Sequence, residues 1–206
     1  MTTDPALAAA SAADWDALVG LLHTCTACEE LAASRSRVVP GERPPGAEVL
    51  LVGEAPGAQE DESGVPFVGR SGQLLDQLLD DAGLTRTQVA VVNVVKCRPP
   101  GNRTPRRAEV ARCRPWLERQ IALVDPTVVV ALGSTAASWF FGPGARIAAL
   151  RERAQTEPLR HGSRRLVVTY HPSAAIRFGP RGEPVAALRA DLAEVARLLA
   201  ERGGGR

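Results

Sequence analysis

Short runs of Val and Leu recur along the chain and alternate with stretches where leucines return every three or four residues. That alternation predicts parallel strands covered by helices on both faces. The first run is VLLV at 49–52, after the turn-rich PGERPPGAE. SGQLLDQLLDDAG then predicts a helix, with Ser71 as N-cap, Leu74, Leu75, Leu78 and Leu79 as its apolar stripe and Gly83 as its stop. VAVVNVV at 89–95 predicts a second strand, and Thr104 with Pro105 opens a helix that runs through Trp116 and Leu117 toward Leu123. TVVVAL at 127–132 is a third strand, followed by a short helix capped by Ser134 and ending near Phe141. RLVVTY at 165–170 is a fourth, leading into HPSAAIRF and a last helix from Glu183 to Leu199. The fold class expected is α/β: one domain, a three-layer α/β/α arrangement around a central four-stranded, mainly parallel sheet. Residues 1–24 read as an N-terminal tail and short helix, 25–203 as the domain itself and 204–206 as a disordered tail.

With 206 residues and 45% hydrophobic content, the chain can fill one core, and no apolar run approaches a membrane span. The net charge of +2 hides an unusual choice, because Lys96 is the only lysine and every other basic residue is arginine. Arginine presents a planar fork that suits phosphate. A GC-rich genome explains most of such a bias, so placement must carry the argument. Between Cys97 and Cys113 the segment CRPPGNRTPRRAEVARC gathers Arg98, Arg103, Arg106, Arg107 and Arg112 around a Pro/Gly turn. Such a loop is a candidate phosphate clamp.

The chain has four cysteines: Cys25 and Cys28 as a C-x2-C pair, then Cys97 and Cys113. The N-terminus MTTDPALAAASAADWD has no cationic, continuously apolar signal, so a reducing cytoplasm and metal-bound thiolates are expected rather than disulfides. Four thiolates suit a 4Fe-4S cluster or a structural zinc. A second C-x2-C knuckle, usual in zinc ribbons, is missing, and this favours the cluster.

Ligands of open α/β sheets bind at the carboxyl ends of the strands. The residues there are Gly53, Glu54, Ala55, Pro56 and Gly57, then Asn93, then Gly133 and Ser134, then His171, Pro172 and Ser173. An amide, carboxylates and one imidazole converge on one edge. GEAPGAQEDESGVPFVGRSG, VVNVVKCRPPGNRTP and YHPS, together with the four cysteines, closely resemble the family 4 uracil-DNA glycosylases, from Cys25 to about Ile176. The resemblance implies cleavage of the N-glycosidic bond of deoxyuridine in DNA, a structural 4Fe-4S cluster held by Cys25, Cys28, Cys97 and Cys113, and a glycosylase domain over 25–203.

On that footing Phe67, in the loop GVPFVG, is expected as the stacking wall for a flipped base, although a core phenylalanine is the plainer reading. Asn93 can accept from uracil N3–H and donate to O4. His171 is expected to donate to O2 as the bond breaks. Classical uracil-DNA glycosylases carry an aspartate where this chain has Ala55, so the usual water-orienting base is absent. Glu54 and Glu60 are the carboxylates that could take its place; Glu60 is preferred, with Glu54 organising the loop. Gly53, Ala55 and Gly57 would let backbone approach the substrate. Ser173 is expected on phosphate, Ile176 or Arg177 as a wedge in the vacated stack, and Arg103, Arg106 and Arg107 on the DNA backbone. The expected setting is a monomer acting on uracil-containing DNA in a prokaryotic cytoplasm, at the nucleoid. Two other readings are a non-catalytic iron-sulfur DNA-binding module and a covalent relative that traps the abasic sugar on a histidine after the second strand. KCRPPGNRTPRR has no histidine, which disfavours the latter.

Overall fold

Residues 4–203 are described by the structure, a computed structural model; the tail expected at 204–206 lies outside them. The strands are β1 (Val49–Gly53), β2 (Val89–Asn93), β3 (Val128–Leu132), β4 (Arg160–His161) and β5 (Arg164–Thr169). They form one sheet in the order β2-β1-β3-β5-β4. All pairings are parallel except β4 with β5. The four long strands match the expected sheet. The fifth, β4, is a two-residue antiparallel edge, too short to leave an alternating pattern in the sequence.

The helices are α1 (Pro5–Ser11), α2 (Trp15–His23), α3 (Glu29–Ser34), α4 (Ala58–Ser63), α5 (Arg70–Asp81), α6 (Arg107–Val124), α7 (Ser134–Phe141), α8 (Ile147–Ala154), α9 (Pro172–Phe178) and α10 (Glu183–Gly203). Every residue of β1, β2 and β3 is buried, because helices cover both faces of the sheet. Alternate residues divide between two cores. Leu50, Val52, Ala90 and Val92 pack with Leu18, Leu22, Trp116 and Leu117. Val49, Leu51, Val89 and Val91 pack with Leu75, Leu78, Leu79, Leu188 and Leu192. Each of these large side chains contributes about 1.5–3 kcal/mol on burial.

Several ends fall elsewhere than the sequence suggests. Before Cys25, where a tail and one short helix are expected, stand two helices, α1 and α2, and Arg119 of α6 donates to the Ala12 carbonyl beyond α1. Helix α5 is capped at Gly69 rather than Ser71, because the Glu60 carboxylate accepts from the Gly69 N–H at 2.8 Å. Helix α6 begins after Arg106 rather than at Pro105, since Glu109 accepts from the Arg106 N–H at 2.7 Å. Gly133, at φ 90°, takes the cap expected of Ser134. HPSAAIRF is helical, as α9.

The chain between α4 and α5 carries Phe67 over the carboxyl end of β1. It closes on itself so tightly that a Cβ at Gly72 would lie 1.7 Å from the Phe67 carbonyl oxygen. Phe67 itself holds φ 54°, a region bulky residues rarely enter. Gly72→Ala is therefore expected to lower unfolding stability by about 1–3 kcal/mol, the cost of forced overpacking, read from the chemical denaturation midpoint.

Candidate active site

The carboxyl ends of the four long strands open onto a cavity of about 570 Å³. It sits at the switch point where successive strands leave β1 on opposite sides, to β2 and to β3. Glu54, Phe67, Asn93, Gly133, His171 and Ser173 are among the residues that line it. Ala55, Gly57, Glu60, Arg103 and Arg177 line it as well, so the structure gathers most of the site expected from sequence.

Asn93 ends β2 and is 2% exposed, yet its carboxamide oxygen has no hydrogen-bond partner among the described residues. An orphaned buried acceptor costs about 1–3 kcal/mol, and this one belongs to a residue that lines the cavity. Gly53 makes room beside it. A Cβ on residue 53 would lie 2.4 Å from that oxygen and 2.6 Å from the Phe67 ring. Phe67, bent into its unusual backbone region, stands 5.8 Å from the His171 ring, centroid to centroid. Strain of this kind collects where a surface must be held for a ligand.

His171 caps α9, its Nδ1 accepting the Ser173 N–H at 3.1 Å and lying 2.8 Å from the Ser173 hydroxyl. A ring nitrogen that accepts a backbone N–H carries no proton, so the proton of the neutral ring sits on Nε2. Burial lowers the His171 pKa to about 4, against the opposing pull of Glu60, and the ring is neutral at pH 7. Gly133 allows the approach, since a Cβ there would meet the His171 Cβ at 2.9 Å.

The two carboxylates differ in commitment. Glu60 accepts from three backbone N–H groups, of Gly57, Val68 and Gly69, at 3.1, 3.0 and 2.8 Å. It is the residue that shapes the loop. Glu54 receives one hydrogen bond, from the Thr135 hydroxyl on α7. Sequence reasoning missed Thr135, which has no motif around it. Glu62 is solvent-exposed, as its acidic neighbourhood suggests.

Two arginines of the basic loop are occupied with carboxylates. Arg103 forms a bidentate pair with Glu109 at 2.9 and 2.6 Å, and Arg106 pairs with Glu30. That pairing, with the Arg106 N–H, holds the Glu109 carboxyl below its usual range. Arg107 has no carboxylate partner among the described residues. On α9, Ser173 and Arg177 are exposed at the cavity rim and Ile176 is half-buried. The next residue, Phe178, is 67% exposed and was not anticipated; a lone aromatic at a helix end gives no sequence signal.

Behind β2 a second, small cavity of about 20 Å³ is lined by Cys25, Cys28, Cys97 and Cys113. Cations surround it. Arg35 donates to the Cys97 sulfur at 3.0 Å and to the Cys25 carbonyl at 2.7 Å, Arg112 hydrogen-bonds Cys28, and Lys96 faces Cys97 and Cys113. Burial pushes the Cys28 and Cys97 thiols up, and Cys113 up to about 12, so binding a metal there must displace protons. Among the described residues no three His, Cys, Asp or Glu side chains are set closely enough to hold a single ion.

Comparison with known proteins gives a consistent result. The model of the uracil DNA glycosylase superfamily matches residues 40–193. The chain is 45% identical over 154 residues to a type-4 uracil-DNA glycosylase of Thermotoga maritima, covering 74% of this chain and 78% of that protein. It is 41% identical over 168 residues to one of Pyrobaculum aerophilum, covering 80% and 85%. A type-5 uracil-DNA glycosylase of Thermus thermophilus is 32% identical over 198 residues, covering 78% and 87%.

The depressed His171 pKa has a signed consequence. Above the ordinary value of 6.5 the ring is neutral folded or unfolded, but as pH falls toward 4 only the unfolded chain takes up the proton. Stability is therefore present in full above about 6.5 and is lost on acidification toward 4. In NMR titration the His171 ring is expected to stay neutral to near pH 4, and H171Q to flatten the acid limb of a denaturation series.

Proposed function

The chain belongs to the uracil-DNA glycosylase superfamily, and from that premise we propose that it excises uracil from DNA, hydrolysing the N-glycosidic bond and leaving an abasic site for base excision repair. The observation that carries this reading is the buried, unpartnered carboxamide oxygen of Asn93 beside the Phe67 ring. Uracil supplies the missing partner, because its N3–H is a donor flanked by carbonyls. Cytosine would set an acceptor against that oxygen, and its rejection follows from leaving both unpaired. A site with no ligand to read would gain nothing from such an orphan, which argues against a non-catalytic binding module.

The base leaves the stack and lies against Phe67, with Asn93 accepting from N3–H and donating to O4. Gly53, Ala55 and Gly57 bring backbone close to it. As the bond to the sugar lengthens, negative charge collects on uracil O2 and positive charge on the sugar. Neutral His171 donates its Nε2–H to O2, a preorganised dipole where the charge develops. Glu54 and Glu60 line the cavity and offset the sugar cation. Glu60 is saturated by backbone donors, so Glu54, with one hydrogen bond, is the better holder of the attacking water. Water adds to C1′ and its proton neutralises the departing uracil anion.

Phosphate contacts fall to Ser173, Arg177 and Arg107, with Arg103 and Arg106 joining where DNA displaces their carboxylates. Ile176, Arg177 and the exposed Phe178 form the edge that fills the vacated stack. The catalytic domain spans 25–203, with α1 and α2 as an N-terminal addition. Bacterial and archaeal relatives support a prokaryotic setting, action on DNA would place the protein at the nucleoid, and no helix among the described residues is long and apolar enough to cross a membrane. The protein is expected to act as a monomer.

Cys25, Cys28, Cys97 and Cys113 are proposed to hold a 4Fe-4S cluster, with a structural zinc as the alternative. The donor set fits, since soft thiolates ringed by Arg35, Arg112 and Lys96 suit an anionic group. Bound there, such a cluster would supply cross-linking between the segments that carry the four cysteines.

End-labelled oligonucleotides bearing one uracil test the reading: incubation followed by alkali is expected to cut uracil strands and spare thymine controls, and intact uracil strands would refute it. Asn93→Ala is expected to lower kcat/KM by about 100-fold or more with abasic-DNA binding unchanged. Phe178→Ala should reduce excision from duplex more than from single strands, measured side by side.

A further inference from the structure

Lys96, the chain's only lysine, is 1% exposed and lies between the two cavities. It lines the cysteine cavity, while its ammonium donates to the backbone carbonyl of Asn93, the residue whose side chain faces the other. Its own backbone is fixed as well: the N–H reaches the Cys113 sulfur, and the carbonyl accepts from the Val39 N–H at 2.8 Å. A buried ammonium is strongly disfavoured without opposite charge. No carboxylate pairs with Lys96 among the described residues, and the cavity it lines holds Cys97 and Cys113. A methionine or leucine would fill the same space with no such penalty. Metal-bound thiolates beside it would supply that opposite charge.

We propose that Lys96 is a positioning residue that joins the cysteine centre to the base-reading end of β2, acting as countercharge to the metal-bound thiolates and as the donor that fixes the Asn93 backbone. Uracil recognition then depends on the cluster being in place, through one side chain. This rests on the cluster reading given above. After Asn93 the chain is held by the Val94 and Val95 N–H groups on the Gly53 and Glu54 carbonyls, at 2.9 and 3.0 Å, and the Lys96 ammonium adds the tie on the Asn93 carbonyl itself. The indole of Trp116 and the aliphatic side chains around the cysteines would leave the ammonium without charge compensation if the centre were empty.

The test uses the full-length protein with its metal. Iron and acid-labile sulfide are measured first, then the cluster's reduction potential and steady-state kinetics on uracil DNA for wild type, K96M and K96Q. Loss of the positive charge is expected to move the potential to more negative values in both variants. K96M, which also loses the donor, is expected to lower kcat/KM about tenfold or more, with K96Q recovering part of the loss and abasic-DNA affinity unchanged in both. Iron-loaded K96M with wild-type potential and wild-type kcat/KM would overturn the proposal. If neither neutral variant takes up iron, K96R decides: loading restored by the arginine charge supports the countercharge role, and loading still absent overturns it. Wild-type protein holding zinc or no metal would defeat the cluster reading instead, and the kinetics of K96M would then judge the tie to Asn93 alone.

Discussion

Between the ends of β1 and β2 and the loop that carries Phe67 there is no room for one more carbon atom. A Cβ at residue 53 would collide with both the Asn93 carboxamide and the Phe67 ring, and one at residue 72 would strike the Phe67 backbone. The strained backbone of Phe67, the orphaned oxygen of Asn93 and the three N–H groups gathered by Glu60 are consequences of that close approach. The parallel sheet supplies the rigidity that makes it affordable, since β1, β2 and β3 are buried on both faces and cannot shift to relieve it. What results is a slot with one aromatic wall and one unanswered acceptor.

Charge is arranged with similar economy. The ring that faces the leaving base is neutral because burial holds its pKa far below the ordinary histidine range, and its tautomer is set by the first turn of α9. A neutral donor gains strength only as negative charge grows on the base, so its stabilisation favours the transition state over the bound substrate. Buried positive charge is instead placed behind β2, around the cysteines, while the arginines at the substrate cavity stand at its rim. One buried ammonium connects the two regions.

The sheet, the long helices and the strand-end residues were legible in the sequence, because buried parallel strands write continuous Val and Leu runs and their carboxyl ends name the site. β4 was not, since two residues cannot display a period. The caps at Gly69 and Arg106 were misplaced because carboxylates satisfy their N–H groups, Glu60 from the preceding helix and Glu109 from the third position of α6 itself, and these bonds override Ser and Thr propensity. The same Glu60 bonds invert the order of preference between the two carboxylates. Arg103 and Arg106 stood out as phosphate ligands only while their partners Glu109 and Glu30 were unseen. Lys96 could have been singled out, being the sole lysine and adjoining a cysteine, but its burial and its bond to Asn93 are facts of packing.

The central claim is that the Asn93 oxygen is kept unpaired for the N3–H of uracil. Product inhibition tests it most directly, by comparing free uracil with 3-methyluracil, which lacks that donor, and 1-methyluracil, which retains it. The account predicts inhibition of excision by uracil and 1-methyluracil but not by 3-methyluracil, with the difference abolished in N93A. Equal inhibition by all three would contradict it.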